Sequence, residues 1–254
     1  MSRKLVALIN GREMGRVLQD DRGRFKFTYA DDWREAEGAY PLSLSMPLTA
    51  AEHPHRSVEA FLWGLLPDNA SVLDRWARRF QVSARNPFAL MSHVGEDCAG
   101  AVQFVRPDRL DHVVGQGPVE IEWLDEADIA ERLRTLRADH AAWRIPRDTG
   151  QFSLAGAQPK TALLFENGRW GVPAGRTPTT HILKPPTGEF DGHAENEHVC
   201  MQLASSLGLI TAKSRVMRFE DQVTIIIERY DRQRTDAGLL RVHQEDMCQA
   251  LAIL

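Results

Sequence analysis

Ser153-Leu154-Ala155-Gly156-Ala157-Gln158-Pro159-Lys160-Thr161-Ala162-Leu163 decides how the second half of this chain is read. Gln151 to Leu154 reads as a short strand, and Ala155-Gly156-Ala157-Gln158 as a tight loop of small residues. Lys160 to Phe165 is the next strand, and Asn167-Gly168 is a two-residue hairpin signal before its partner, Arg169 to Val172. Thr179 to Lys184 forms another strand, stopped by Pro185-Pro186. A helix is expected over Ala194 to Leu207, with Val199, Leu203 and Leu207 as its buried stripe and Gly208 as its stop. Ser214 to Phe219 and Gln222 to Glu228, joined by Glu220-Asp221, complete a second hairpin.

Towards the N-terminus the pattern is α+β. Lys4 to Ile9 is apolar and β-prone, and Asn10-Gly11 fits a type I′ turn, whose two central residues need positive φ. Val17-Leu18 continues as strand, and Phe25, Phe27 and Tyr29 alternate onto one face of the next. Pro41-Leu42-Ser43-Leu44-Ser45-Met46-Pro47 alternates apolar and small polar residues between prolines and reads as a short edge strand. Helices are expected over Val58 to Leu66, around Val72, Leu73, Trp76 and Phe80, and over Pro87 to Met91. Residues 106–118 read as a linker, followed by a helix that Asp125 caps with Asp128 three residues on. The expected organisation is an N-terminal domain over 1–105, a linker and connecting helix over 106–140, and a third region over 141–254.

Composition narrows the class. A chain of 254 residues holds one or two domains, and 43% apolar with 26% charged residues excludes disorder, collagen and coiled coil. With 31 Lys and Arg against 35 Asp and Glu, the net charge of −4 is a poor basis for gripping a nucleic-acid backbone over a broad face. No apolar run approaches the ~18–20 residues of a membrane helix. The opening Met1 to Ile9 starts like a signal peptide, but Asn10-Gly11-Arg12-Glu13 ends its apolar stretch early. Cys98, Cys200 and Cys248 are too widely spaced for a disulfide framework or zinc site, so a cytoplasmic protein with reduced thiols is expected.

The order of elements after residue 150 is that of a protein-kinase small lobe, an antiparallel sheet plus one helix. Nucleotide phosphates need backbone N–H groups at close approach, which Gly156 between two alanines permits. They also need a strand-borne positive charge, available at Lys184, held by a carboxylate of the next helix, Glu195 or Glu197. An adenine edge would meet backbone at Glu228-Arg229-Tyr230. Each piece alone has a plainer reading: an ordinary turn, a solvated strand-end lysine, a first-turn carboxylate favoured by the helix dipole, and a small polar residue at Ser153. The loop matches neither G-x-G-x-x-G nor the Walker pattern.

The stretch Ser153 to Leu163 resembles the signature of the HipA family, the serine/threonine kinase toxins of bacterial type II toxin–antitoxin systems. Pro41 to Pro47 and Gly64-Leu65-Leu66-Pro67-Asp68-Asn69 are similar to that family's N-terminal motifs. Thr180-His181-Ile182-Leu183-Lys184, Glu195-Asn196-Glu197, Ile227 to Arg232 and His243 to Leu251 resemble its kinase segments.

The resemblance implies that Ala155, Gly156, Ala157, Gln158, Pro159 and Lys160 form the phosphate-binding loop. Lys184 would be the ATP lysine, and Glu228, Arg229 and Tyr230 the adenine hinge. Ser153 would be autophosphorylated to shut the kinase off. A dianion beside a loop shaped for phosphate would repel nucleotide and eject the loop. ATP and Mg²⁺ are the implied cofactors. The implied partners are a HipB-like DNA-binding antitoxin and a protein substrate of the translation machinery, an aminoacyl-tRNA synthetase in the family, with DNA met only through the antitoxin and no membrane. Pro159 departs from the glutamate the family often has, and proline has no N–H to give a phosphate. No segment after Tyr230 supplies a catalytic aspartate or metal ligands, with Asp231, Asp236 and Asp246 too close to the hinge. The apolar, helical-looking end at Leu251-Ala252-Ile253-Leu254 therefore reads as a truncation before the catalytic loop, with catalytic residues and metal ligands expected after Leu254. Two other readings stand beside this one: a non-catalytic antitoxin-binding or decoy fragment, and a small-molecule kinase related to aminoglycoside or lipid kinases.

Overall fold

A computed structural model describes residues 3–115, 121–143, 152–187, 192–236 and 238–254. In chain order the first elements are strands β1 (Arg3–Ile9), β2 (Arg12–Gln19) and β3 (Phe25–Tyr29), helix α1 (Asp31–Arg34) and strand β4 (Glu52–His53). Helices α2 (His55–Trp63), α3 (Ala70–Phe80) and α4 (Pro87–Val94), strand β5 (Val102–Val105) and helix α5 (Leu110–Val114) follow. Next come β6 (Ile121–Leu124), α6 (Glu126–Ala138), β7 (Thr161–Glu166), β8 (Arg169–Pro173), β9 (His181–Lys184) and α7 (His193–Ser206). The last are β10 (Ser214–Phe219), β11 (Gln222–Glu228), β12 (Arg232–Thr235), β13 (Gly238–Arg241) and α8 (Met247–Leu251). The α+β class expected from the sequence holds. Two compact units form: Met1–Pro118 with Gln151–Gly156 and Gln233–Leu254, and Val119–Gly150 with Ala157–Arg232.

The first unit is built on an antiparallel sheet of order β4-β3-β2-β1-β5. Asn10 and Gly11 both adopt positive φ, 47° and 81°, as the two-residue hairpin required. Phe25, Phe27 and Tyr29 are all buried, so their alternation does mark the core face. Asn69 and Asn86 cap α3 and α4, accepting from the backbone N–H of Ser71 (2.9 Å) and Ala89 (3.1 Å). Residues 106–115 are more than a linker: Pro107–Arg109 is a 3₁₀ turn, and Val113 of α5 is buried against Val6, Leu8 and Val105.

Pro41–Pro47 is not an edge strand. Its backbone is pinned by the Tyr29 hydroxyl, which accepts from Leu42 N–H (2.7 Å) and donates to the Met46 carbonyl (2.6 Å). Those groups are therefore withdrawn from any ladder. The expected strand over Gln151 to Leu154 reduces, among the described residues, to one parallel bridge between Phe152 and Asp97; Gln151 lies outside them. The apolar end is also not a continuing helix. Asp246 and Gln249 form a capping box that starts α8, and Ala252 ends it in the left-handed region with φ 51°.

In the second unit the sheet runs β10-β11-β9-β7-β8-β6, antiparallel at each step. Alternation along β11 serves both faces. Ile226 joins Leu133, Leu163 and Trp170 on the α6 side, while Ile225 and Ile227 pack on Ala194 of α7. The Asp125/Asp128 capping box starts α6 as expected. The stripe assigned to α7 is wrong in direction. Val199, Leu203 and Leu207 are 61%, 60% and 75% exposed, and Ala194 and Met201 supply the apolar contact of α7 with the sheet. Spacing of i, i+4 and i+8 identifies a helix face but not what covers it.

Candidate functional site

Lys184 is the last residue of β9, opposite Ile225 of β11. Its ammonium donates to Glu197 Oε1 of α7 at 2.6 Å, in a partly buried pair. Glu195 is exposed. Residues two positions apart on a helix point about 200° apart, so only one of these carboxylates can face the strand. The sequence left Glu195 and Glu197 open, and the fold selects Glu197.

The loop expected to cradle phosphate divides in character. Ala155 and Ala157 are exposed, Gly156 and Gln158 half-buried, and Pro159 and Lys160 buried. Gly156 adopts φ 96°, a region that residues with a Cβ rarely occupy. Ala155 and Gly156 belong to the first unit and Ala157 to Lys160 to the second. Lys160 is only 5% exposed, and its ammonium lies 4.3 Å from the centroid of the buried Trp143 ring. That is a cation–π contact in a desolvated place, unlike a lysine waiting in solvent for phosphate. Ser153 is fully buried. Its hydroxyl donates to the Leu65 carbonyl (2.7 Å) and its N–H to the Asp97 carbonyl (2.9 Å).

At the end of β11, Glu228 N–H donates to the Lys213 carbonyl (2.8 Å) and Arg229 N–H to the Thr180 carbonyl (2.9 Å). The Arg229 guanidinium is buried and grips both carboxylate oxygens of Asp231 (3.1 and 2.8 Å) and the Thr179 hydroxyl (2.8 Å). Arg232 adds a second cation to Asp231 Oδ2 at 3.0 Å and donates to the Thr179 carbonyl at 3.2 Å. Tyr230 is 73% exposed. What this stretch offers a ligand is therefore backbone and the Tyr230 ring, because the Arg229 side chain is committed to Asp231.

Sequence reasoning passed over Thr179, Asp231 as a structural group, and His181. His181 is paired across the sheet with Glu228 and enclosed by the rings of Trp170 (5.2 Å between centroids) and Phe165 (5.6 Å). The Thr180 hydroxyl accepts from Phe165 N–H (2.8 Å) and lies 2.8 Å from His181 Nδ1, so its proton can serve a neutral imidazole. Burial pushes the His181 pKa down to about 4, with the Arg215 charge adding to the shift and Glu228 opposing it. In the sequence His181 and Asp231 stood within the segments Thr180 to Lys184 and Ile227 to Arg232 and Thr179 opened an expected strand, but nothing there marked them as a buried network. Among the described residues no group of three or more His, Cys, Asp or Glu could hold a metal ion.

The model of the HipA N-terminal domain matches residues 5–105, and that of the HipA-like C-terminal domain matches residues 152–254. This chain belongs to the HipA family. It is 30% identical over 231 residues to the serine/threonine-protein kinase toxin HipA of Shewanella oneidensis, covering 89% of this chain and 50% of that protein. Y4mE of Sinorhizobium fredii is 37% identical over 253 residues, covering 96% of this chain and 58% of Y4mE. A solved complex of Shewanella oneidensis HipA with HipB and operator DNA matches with a TM-score of 0.80 at 27% identity, over 98% of this chain and 56% of that one. The chain thus spans about half the length of the HipA-family relatives it matches.

Proposed function

We propose that this chain carries the ATP-binding small lobe and N-terminal domain of a HipA-type serine/threonine protein kinase toxin. The observation that supports this most directly is the Lys184–Glu197 pair, a strand lysine held by a helix carboxylate. It fixes a positive charge for nucleotide phosphates without letting the lysine collapse onto solvent. Backbone of Ala155 to Gln158 approaches the phosphates, and backbone at Glu228 and Tyr230 meets the adenine edge. ATP supplies the transferred γ-phosphoryl group and Mg²⁺ its charge neutralisation. This chain's residues bind and orient the nucleotide, and the transfer step belongs to the part of the relatives that the chain does not span.

Ser153 is the autophosphorylated serine in this reading, and its burial makes the modification a switch. A phosphate cannot occupy a site where the hydroxyl oxygen lies 2.7 Å from a carbonyl oxygen, so phosphorylated Ser153 must leave it. The partner is a HipB-like DNA-binding antitoxin, a reading supported by the match to a HipA–HipB–DNA complex, with DNA reached through the antitoxin. The substrate is a protein of the translation machinery, an aminoacyl-tRNA synthetase, and the compartment is the cytoplasm. No helix among the described residues is long and apolar enough to cross a membrane.

Titration of the chain with a fluorescent ATP analogue tests the reading. Saturable, ATP-competed binding that Lys184→Ala abolishes is expected; equal affinity in Lys184→Ala would place the nucleotide elsewhere.

A further inference from the structure

The two N-terminal motifs, Pro41–Pro47 and Gly64 to Asn69, are each occupied by another part of the same chain. Pro41–Pro47 receives the C-terminal segment. His243 Nε2 donates to the Leu42 carbonyl (2.9 Å), and Leu44 N–H donates to Glu245 Oε1 (2.9 Å). The hydroxyls of Ser43 and Ser45 converge on the Gln249 carbonyl at 3.2 and 2.9 Å. At the hairpin tip, Asn10 pairs with both backbone groups of Arg241, accepting from its N–H (2.9 Å) and donating to its carbonyl (3.0 Å).

The exit of α2 holds two segments at once. Gln249 Nε2 donates to the Phe61 carbonyl (2.9 Å). Gly64 is bare because a Cβ there would lie 2.5 Å from Gln249 Cγ. One residue further, the Leu65 carbonyl takes the Ser153 hydroxyl, and Asp68 N–H donates to the Gly156 carbonyl at 3.4 Å. Within eight residues, Phe61 to Asp68, the chain binds Gln249 on one side and Ser153 and Gly156 on the other. All these groups lie in the first compact unit.

We infer that Pro41–Pro47 and the α2 exit form an intramolecular bracket that positions the Phe152–Gly156 and His243–Gln249 segments together, so that loosening one loosens the other. The bracket stands on its own contacts; what the two segments do rests on the kinase reading. Glu245, Gln249 and Gly64 are its positioning residues. It makes Pro41–Pro47 and the α2 exit part of what holds Phe152–Gly156, all within the first unit.

Amide hydrogen exchange of the whole chain, read by mass spectrometry at peptides spanning Phe152–Gly156 and Met247–Ala252, tests this. Glu245→Ala should speed exchange at both peptides by about tenfold or more while β1 and β2 keep their protection. Glu245→Gln retains an oxygen to accept from Leu44 N–H and should exchange like the parent. Gly64→Ala, which displaces the Gln249 side chain, should again speed both. Faster exchange at Met247–Ala252 alone, or at neither peptide, overturns the inference. If Glu245→Ala does not fold, Ser45→Ala is read at the same peptides, and a uniform loss across β1 and β2 in that variant also overturns it. The measurement is made first without nucleotide. A lack of ATP protection in the parent then counts against the kinase reading alone.

Discussion

Lys184 Nζ and Glu197 Oε1 lie 2.6 Å apart across the β9–α7 contact, while Glu195, on the same turn of α7, is exposed. The pair is asymmetric, since the helix can turn only one of the two carboxylates near its start onto the strand. Ala194, the small buried residue between α7 and Ile225 and Ile227, lets the helix approach closely enough for that contact.

Glu197→Gln and Glu195→Gln should therefore differ. A hydrogen bond between charged partners contributes about 1.5–3 kcal/mol. Losing its charge at Glu197 is expected to weaken ATP binding by roughly tenfold or more, measured by analogue titration, with Glu195→Gln within about twofold of the parent. Equal effects of the two would dissociate the nucleotide site from this pair.

Asp231 is expected to be the most damaging single substitution near the hinge. Asp231→Ala leaves the buried guanidiniums of Arg229 and Arg232 without their shared carboxylate, at a cost of about 3–5 kcal/mol. Thr179→Val removes one acceptor from Arg229 and should cost about 1 kcal/mol. Urea unfolding monitored by circular dichroism gives both values. A loss under about 1 kcal/mol for Asp231→Ala would mean the network is relieved by solvent.

His181 makes stability depend on pH in a definite direction. Its folded pKa is about 4, below the ordinary 6.5, so the folded state favours the neutral ring. The contribution is complete above pH 6.5 and is lost progressively as pH falls through the window from 6.5 to 4. His53 and His243, also held below the ordinary value by burial, act in the same direction. The expected loss from His181 is on the order of 2–3 kcal/mol between neutral pH and pH 4. Unfolding free energies measured from pH 7.5 to 4.5 should show this slope, and His181→Gln should flatten it. An unchanged slope in that variant would assign the acid sensitivity to other groups.

Ser153→Ala and Ser153→Asp should separate the hydrogen bond from the space around it. Alanine forfeits the bond to the Leu65 carbonyl, about 1 kcal/mol. Aspartate brings a charge into a fully buried site and should expel the segment, exposing Phe152–Gly156 to limited proteolysis while the β1–β2 hairpin stays protected. Equal protease resistance in both variants would show that the segment tolerates an anion in place.

Much of the local structure was legible because short-range chemistry decides it. Asn10-Gly11 and Asn167-Gly168 supply positive φ and make hairpins, and the Asp125/Asp128 box starts α6 where the residues stand. Lys184 at a strand end with a carboxylate on the next helix was readable from order alone. The stripe on α7 was misassigned because periodicity carries no sign of which side faces the sheet. Pro41–Pro47 was misread because its alternation imitates a strand while the Tyr29 hydroxyl takes its backbone groups. The four-residue β6 was missed because it pairs with β8, which arrives nearly fifty residues later.

By itself the sequence determined the hairpin turns, the helix caps, the family resemblance and the residue types at the candidate site, since turns, caps and motif order depend on neighbours a few positions apart. Tertiary structure alone decided which glutamate holds Lys184, that Arg229 and Lys160 are spoken for, and that Ser153 is sealed inside the first unit. The choice follows from burial. A charged or hydroxyl group removed from water must find its partner in space, and for Lys184 that partner lies 13 positions away, for Thr179 and Arg229 50, and for Ser153 and Leu65 88.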